Sequence, residues 1–304
     1  MKLGSCATSY PSNNKLIKAT KLQLTMTNLV NFTASSLEKT LNWEAEKHPI
    51  YRADGTIIEG WAEVRRDDNN EVLNICKSSY NIESNKTLVD NANLLAEKTG
   101  FEVAGFDTFQ GGRKVLAFLK NPDMNQIGGN NMQDYLLIGN SHDYSSSFWI
   151  GNTSVMLRCS NQFTYSNKQF SVRHTTNNQD RIDNLIKGFE RYISQNELLY
   201  QDFNKLLNTE IDSETIDRVV NRVVGINARD IPSTRKINIK KDIISSVHRE
   251  CFDLGRNAWG LFNGFTHYTT HVRNTKEKIY GNALGSVADL NADAFNQCLL
   301  LGEN

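Results

Sequence analysis

The chain has 304 residues, of which 39% are hydrophobic and 22% charged, and its 34 Lys and Arg balance its 34 Asp and Glu. Zero net charge excludes a global field that would draw the protein onto nucleic acid or an anionic membrane, so any polyanion site must be a local patch or arise by assembly. The five cysteines (Cys6, Cys76, Cys159, Cys251 and Cys298) form no CxxC pair, which argues against a disulfide framework or zinc knuckle and for a reducing, intracellular setting.

The expected organisation is a flexible N-terminal arm over 1–35 and a single α+β domain over 36–304. That domain reads as sheet-rich over 50–175 and helical over 178–302. "LGSC" at 3–6 has the lettering of a lipoprotein box but no apolar stretch before it, and Met26 is a second candidate start. No apolar run approaches the roughly 20 residues of a membrane span, so no membrane partner is expected.

"GTIIEGWAEVRR" and "EVLNICKSSYNI" flank Asp67, Asp68, Asn69 and Asn70, a turn-rich tetrad that predicts a hairpin. "NKTLVDNANLLAEKTG" carries apolar residues at 88, 89, 92, 95 and 96 and ends in Gly100, predicting a capped amphipathic helix. A second hairpin is predicted around Gly111 and Gly112, between "FEVAGFDTFQ" and "RKVLAFLK". "NPDMNQIGGNNMQ" reads as a loose connection. Short strands are predicted at "DYLLIGN", "SFWIGN", "VMLRCS" and "FSVRHT". The C-terminal half then carries the i, i+3, i+4, i+7 apolar spacing of helices, from "DRIDNLIKGFERYISQNELLYQDF" through 212–225, 240–254, 257–272 and 284–301. Pro232 in "ARDIPSTRKI" marks a candidate linker. Strands first and helices later predict an antiparallel, hairpin-rich α+β fold.

Several clusters carry chemistry. His267 and His271 share a helix face and suit one metal, but no Glu lies between them and no third ligand is nearby, so packing is expected and no metal. His142 and Asp143, among serines, suit a general-base site or a turn, and the turn is favoured because neighbours on a strand face opposite ways. Cys159 reads as buried and inert. Arg173 and His174 precede a helix, where they suit either an anion or plain exposure beside the helix cap. The basic pairs Arg65–Arg66 and Arg113–Lys114 flank turns, with Trp61, Phe106 and Phe109 close in sequence. Cations interleaved with aromatics suit phosphate contact and base stacking. A further basic run lies at 233–241. No Walker A, GxGxxG or GxSxG motif occurs, and no cofactor is expected.

The order of these clusters resembles one family. It runs from "VRRD" through "GGRKVLAFLK", "NSHD", a strand ending Cys-x-Asn, and "RHT" before a helix. It closes on Trp259, Asn263, Gly264, Thr266, Tyr268 and His271 in the pattern W-x-x-x-N-G-x-T-x-Y-x-x-H. This is similar to the phage/plasmid-like protein family, domain of unknown function 932, over roughly 40–275. Tyr144, Met156 and Gly264 depart from it where glycine, arginine and alanine are usual. The resemblance implies a mobile-element setting, a DNA-related role and the cytoplasm of a host cell. The architecture is also similar to the ring-forming single-strand annealing recombinases, which implies a homo-oligomer.

The leading expectation is a non-enzymatic protein binding single-stranded DNA through Arg65, Arg66, Arg113, Lys114 and Arg173. The first alternative is an enzyme with a polar pocket of Asn140, His142, Asp143, Arg173, His174, Asn263 and His271. The second is a counter-defence protein that binds a host protein.

Overall fold

The structure, a computed structural model, describes residues 40–146, 148–157, 161–165, 171–172, 178–227, 229, 231–274 and 285–303. The predicted N-terminal arm, and with it Arg173, His174 and Cys159, lies outside the described residues. The fold is α+β. Strands β1 (Ala45–Tyr51), β2 (Ile57–Arg66) and β3 (Val72–Lys77) form an antiparallel three-stranded sheet. The predicted turn joins β2 to β3, with Asn70 in the left-handed region and Asn69 accepting from the Glu71 N–H. β1 begins before the expected boundary at 50. Its sequence "AEKHPIY" has no apolar alternation, and Pro49 suits it only to an edge.

Helix α1 (Asn85–Thr99) is capped by Ser84, which accepts from the Thr87 N–H, and is ended by Gly100 at φ 76°. Glu44 accepts from the Asn85 and Lys86 N–H groups at 2.8 and 3.0 Å, adding a carboxylate at the positive end of the helix. The larger sheet follows, in the order β4 (Glu102–Phe109), β5 (Lys114–Ile127), β6 (Asn130–Ser141), β7 (Phe148–Met156) and β8 (Gln162–Tyr165), with β9 (Ser171–Val172) on β7.

Two expectations are corrected here. The "loose" stretch is a hairpin: β5 runs on to Ile127, turns at Gly128 and Gly129 with φ of 54° and 76°, and returns as β6. "SFWIGN" and the start of "VMLRCS" are one strand. The polar residues between them stay in it because they find partners: Thr153 donates to the Phe163 carbonyl and Ser154 to Asp134.

The helical half comprises α2 (Asn178–Asn208), α3 (Ser213–Val224), α4 (Thr234–Leu254), α5 (Ala258–His267), a π-turn over Tyr268–Val272, and α6 (Ser286–Leu299). The candidate linker after Pro232 is instead the start of α4. Ser233 caps it by accepting from the Lys236 N–H, so the basic run forms its first two turns.

Three apolar clusters hold the fold. Val64 and Leu73 of the small sheet pack with Leu88 of α1, Val115, Leu136 and Ile150 of the large sheet, and Tyr192 of α2. On the opposite face of the large sheet, Leu116, Phe118, Leu137 and Trp149 form a smaller cluster. The helical core of Phe203, Trp259, Phe262, Phe265 and Phe295 also takes Ile127, Met132, Met156 and Phe163 from the far ends of β5–β8. The long hairpins therefore belong to both halves.

Between the two main cores lies Asp134 of β6, fully buried. It accepts from Ser154 Oγ (2.5 Å), Asn125 Nδ2 (2.7 Å), Tyr200 OH (2.9 Å) and Asn196 Nδ2 (3.2 Å). Burial first, and then this carboxylate, pushes the Tyr200 and Tyr192 phenols well above their usual range.

Helices α4 and α5 meet backbone to backbone. A Cβ on Gly264 would lie 2.5 Å from the Val247 Cα, and one on Gly260 2.5 Å from the Gly255 carbonyl oxygen. Gly264→Ala therefore forces the helices apart and is expected to destabilise the protein by roughly 1–3 kcal/mol, as overpacking of a tight core does. Urea unfolding checks this, and an unchanged midpoint would refute the close-contact assignment.

Candidate functional site

Arg66, Arg113, Lys114, Asn140, His142 and Asp143 converge where β5 begins, β6 ends and α1 starts. Lys114, buried at the base of β5, donates from Nζ to Asp143 Oδ1 at 2.7 Å. Asp143 also takes the Ser145 N–H, and its carbonyl accepts from Asn74 Nδ2 at 2.7 Å. Burial pushes the Asp143 carboxyl up, but the hydrogen bonds from Lys114 and Ser145 outweigh it and hold the group below its ordinary range. His142, fully buried, sets Nε2 2.9 Å from Asn85 Oδ1, and Asn85 Nδ2 donates to the Trp43 carbonyl at 2.7 Å. Asn140 donates to the Glu83 carbonyl at 3.3 Å. Arg66 lies 4.1 Å over the Trp43 ring, makes a two-point contact with Asp68 at 2.8 and 2.6 Å, and reaches the Gly111 carbonyl. Arg113 Nε donates to the Leu73 carbonyl at 3.0 Å.

This network ties the two hairpin turns to each other and to the N-terminus of α1. Lys114 points inward to a partner it already has, Arg66 is held by Asp68 and the Gly111 carbonyl, and Arg113, exposed at the turn, is anchored through Nε alone. The neighbours His142 and Asp143 face apart, His142 towards α1 and Asp143 towards Lys114; they lie in the bend that follows β6, with Tyr144 at φ 65°, which agrees with the turn reading.

Asn263 and His271 sit elsewhere, in the helical half, and do not join His142 and Asp143 in one pocket. Asn263 donates to the Trp259 carbonyl at 2.9 Å, while its own carbonyl accepts from Asn161 Nδ2 at 3.3 Å. His271 stands ring to ring with His267 at 5.0 Å, so the i, i+4 adjacency holds. His267 is buried, with Nδ1 3.1 Å from Ser246 Oγ, and burial, followed by His271 and Arg249, depresses its pKa to about 4. Among the described residues, no three His, Cys, Asp or Glu side chains group to hold a metal.

The aromatics divide in the same way. Phe106 and Phe109, read beside the basic turns, are 1% and 5% exposed and belong to the cores. Trp61 is 41% exposed, on the outward face of β2, while Ala62 and Val64 fill the inward face. Directly across the ladder from it is Lys77 of β3, with Nζ 3.9 Å above the indole ring. Arg65, on the same outward face, pairs with Glu63. Ile75, exposed, sits opposite Glu63. Lys77 lies on β3, away from the turns that carry the basic pairs. The signal was available in the hairpin arithmetic, since Trp61 and Lys77 are equidistant from Asn69.

The family described as Domain of unknown function (DUF932) matches residues 72–286, and the chain belongs to that family. The match starts at β3, so it leaves out β1 and β2 and with them Trp61, Arg65 and Arg66. No curated protein and no solved structure matches the chain.

Removing one partner of the Lys114–Asp143 pair leaves a poorly solvated charge. Lys114→Met is expected to cost roughly 3 kcal/mol at neutral pH. Because the Asp143 carboxyl is held low, the pair's contribution is present above the ordinary carboxyl range and is lost as pH falls through the depressed folded value. Urea midpoints against pH should show that acid loss in the native protein and not in Lys114→Met. The sign at His267 comes from exclusion of charge: its folded pKa lies below the unfolded one, so stability is full above about pH 6.5 and falls towards pH 4. His267→Gln should flatten the stability profile in that window, and an unchanged slope would assign the acid response to other groups.

Proposed function

We propose that this member of the DUF932 family binds single-stranded DNA without catalysis, on the open face of the β1–β3 sheet, in recombination or annealing on a phage or plasmid. The observation that carries the reading is the exposed Trp61 with the Lys77 ammonium over its ring. An indole face accepts a nucleobase of any kind by stacking. An incoming base would take the place of Lys77, whose ammonium swings to the adjoining phosphate. Arg65 lies on the same strand face to continue the phosphate track. Arg66, Arg113 and Lys114 then have a different part, holding the hairpin turns that set the sheet's position. One such platform on a neutral chain is a weak site, so the reading includes an oligomer that aligns several platforms.

A protein partner is the second reading, favoured by Tyr51, Ile57 and Ile75, which are more than half exposed on the same small sheet. In that case the apolar residues, rather than the cation, would carry the affinity.

Tryptophan fluorescence separates the two. Of the four tryptophans, Trp43, Trp149 and Trp259 are buried, so quenching reports Trp61. Titration with a short oligothymidylate at low salt should quench the emission. Trp61→Ala should weaken binding by about tenfold or more, the scale of one lost stacking contact. Lys77→Gln should reduce the salt slope by about 0.7, one counterion of a single strand. Absence of quenching at low salt, or affinity unmoved by Trp61→Ala, overturns the DNA reading and favours the protein partner.

A further inference from the structure

A cleft of about 560 Å³ opens between α4, the π-turn and α6, a size that suits a small molecule. One wall is a stripe of α4. Arg235, Asn238, Ile239 and Asp242 stand at i, i+3, i+4 and i+7, the spacing that normally carries a helix's apolar side, yet three of these four are polar. Tyr268, nine-tenths or more buried, comes from the π-turn, and Arg273 follows it. Leu290 of α6 also lines the cleft and, with Ile239, supplies its apolar groups.

The basic run of α4 sorts into used and unused cations. Lys236 donates to the Gly225 carbonyl and closes the C-terminus of α3. Lys240 pairs with Asp217 at 2.5 Å. Among the described residues, no hydrogen bond or ion pair holds the Arg235 guanidinium. Arg273 is anchored from one nitrogen, Nη2, to Ser286 Oγ at 3.3 Å, which leaves the rest of its fork to a ligand. Both arginines and Asp242 act on the Tyr268 phenol. Burial raises its pKa most, Arg273 and Arg235 draw it down, and Asp242 raises it, so the four groups share one space.

We propose that this cleft binds a nucleoside monophosphate, with Arg235 and Arg273 gripping the phosphate and the base lying between Ile239 and Leu290. Guanidinium forks match phosphate oxygens two at a time. A lone phosphate would need no apolar walls, and an apolar ligand would need no arginines. Asp242 repels phosphate, but it accepts hydrogen bonds from a sugar hydroxyl or an exocyclic amine, and Asn238 supplies both a donor and an acceptor for a base edge. The two arginines outnumber the one carboxylate, so the site keeps a net positive charge. The same chemistry is met in a free nucleotide and in the phosphorylated end of a strand. The assignment is independent of the Trp61 platform.

The test is isothermal titration of the full chain with the four common nucleoside 5′-monophosphates, the corresponding nucleosides and inorganic phosphate. At least one monophosphate should bind, at least tenfold tighter than its nucleoside and than inorganic phosphate. Arg235→Gln and Arg273→Gln should each weaken it tenfold or more with an unchanged melting temperature, and Trp61→Ala should leave it intact. Competition by an oligonucleotide only when it carries a 5′-phosphate assigns the site to strand ends, and no competition assigns it to the free nucleotide. Both outcomes keep the phosphate ester as ligand. No binding by any monophosphate, equal binding of nucleoside and nucleotide, or native affinity in both arginine variants overturns the proposal.

Discussion

The placement of the two halves turns on one buried carboxylate. Along the inner face of β6 the side chains alternate as Met132, Asp134, Leu136 and Ile138, so a single strand passes from the helical core, across a charge, into the sheet core. Helix α2 crosses that face with a matching order: Tyr192 in the sheet core, Asn196 and Tyr200 on Asp134, Phe203 in the helical core. A carboxylate in such surroundings is tolerated only with its lone pairs satisfied. Donors from β5, β7 and α2 satisfy them together. Sliding α2 by one turn would keep its apolar contacts roughly in register but would withdraw two of these donors. Stranding a buried charge costs more than the gross apolar match can recover. The network therefore selects one docking of α2 rather than merely strengthening whichever docking occurs.

With α2 fixed, the exposed surfaces follow. α1, α2 and the inner face of the small sheet all share the core built on one face of the large sheet. The outer face of β2 and β3 is left without a covering element among the described residues, and Trp61 and Lys77 stand on it. In the helical half, the glycine contact brings α5 against α4, and the chain leaves α5 through a π-turn, which is wider than an α-turn. That widening carries Tyr268 beside the polar stripe of α4 and leaves room between them and α6. The cleft is thus a product of close packing on one side and a loosened helix end on the other.

What was legible in the sequence was local. The Asp67–Asn70 turn, the Gly100 end of α1 and the i, i+4 meeting of His267 with His271 are set by residues within a few positions of one another, and all three stand as read. Two of the differences share one cause. β7 reads as two strands because Thr153 and Ser154 look like a break in an apolar strand, and their partners lie on β8 and β6. The β5–β6 hairpin reads as loose because Asn125, which donates to Asp134, looks like loop chemistry in isolation. β1 leaves little trace in the sequence because an edge strand with one open face needs little apolar pattern. In β7 and in the β5–β6 hairpin, a polar residue has a partner that only the tertiary fold supplies.

The same blindness governs the cations, and here it changes what a basic motif means. A guanidinium near a tight turn has carbonyls within reach, and Arg66 and Arg113 take them, at Gly111 and Leu73. Arg66 and Lys114 are consequently committed to holding the chain together, while Arg113, bonded through Nε alone, keeps its Nη donors. Lys77 in mid-hairpin, and Arg235 and Arg273 at the cleft, keep donors to offer. On a chain of zero net charge there is no long-range field to steer a ligand, so recognition has to come from contact chemistry: a flat ring, a guanidinium fork, an apolar wall. The ligands proposed for the Trp61 platform and for the cleft meet that constraint in the same way, with a flat ring or an apolar wall taking a base and a cation taking its phosphate.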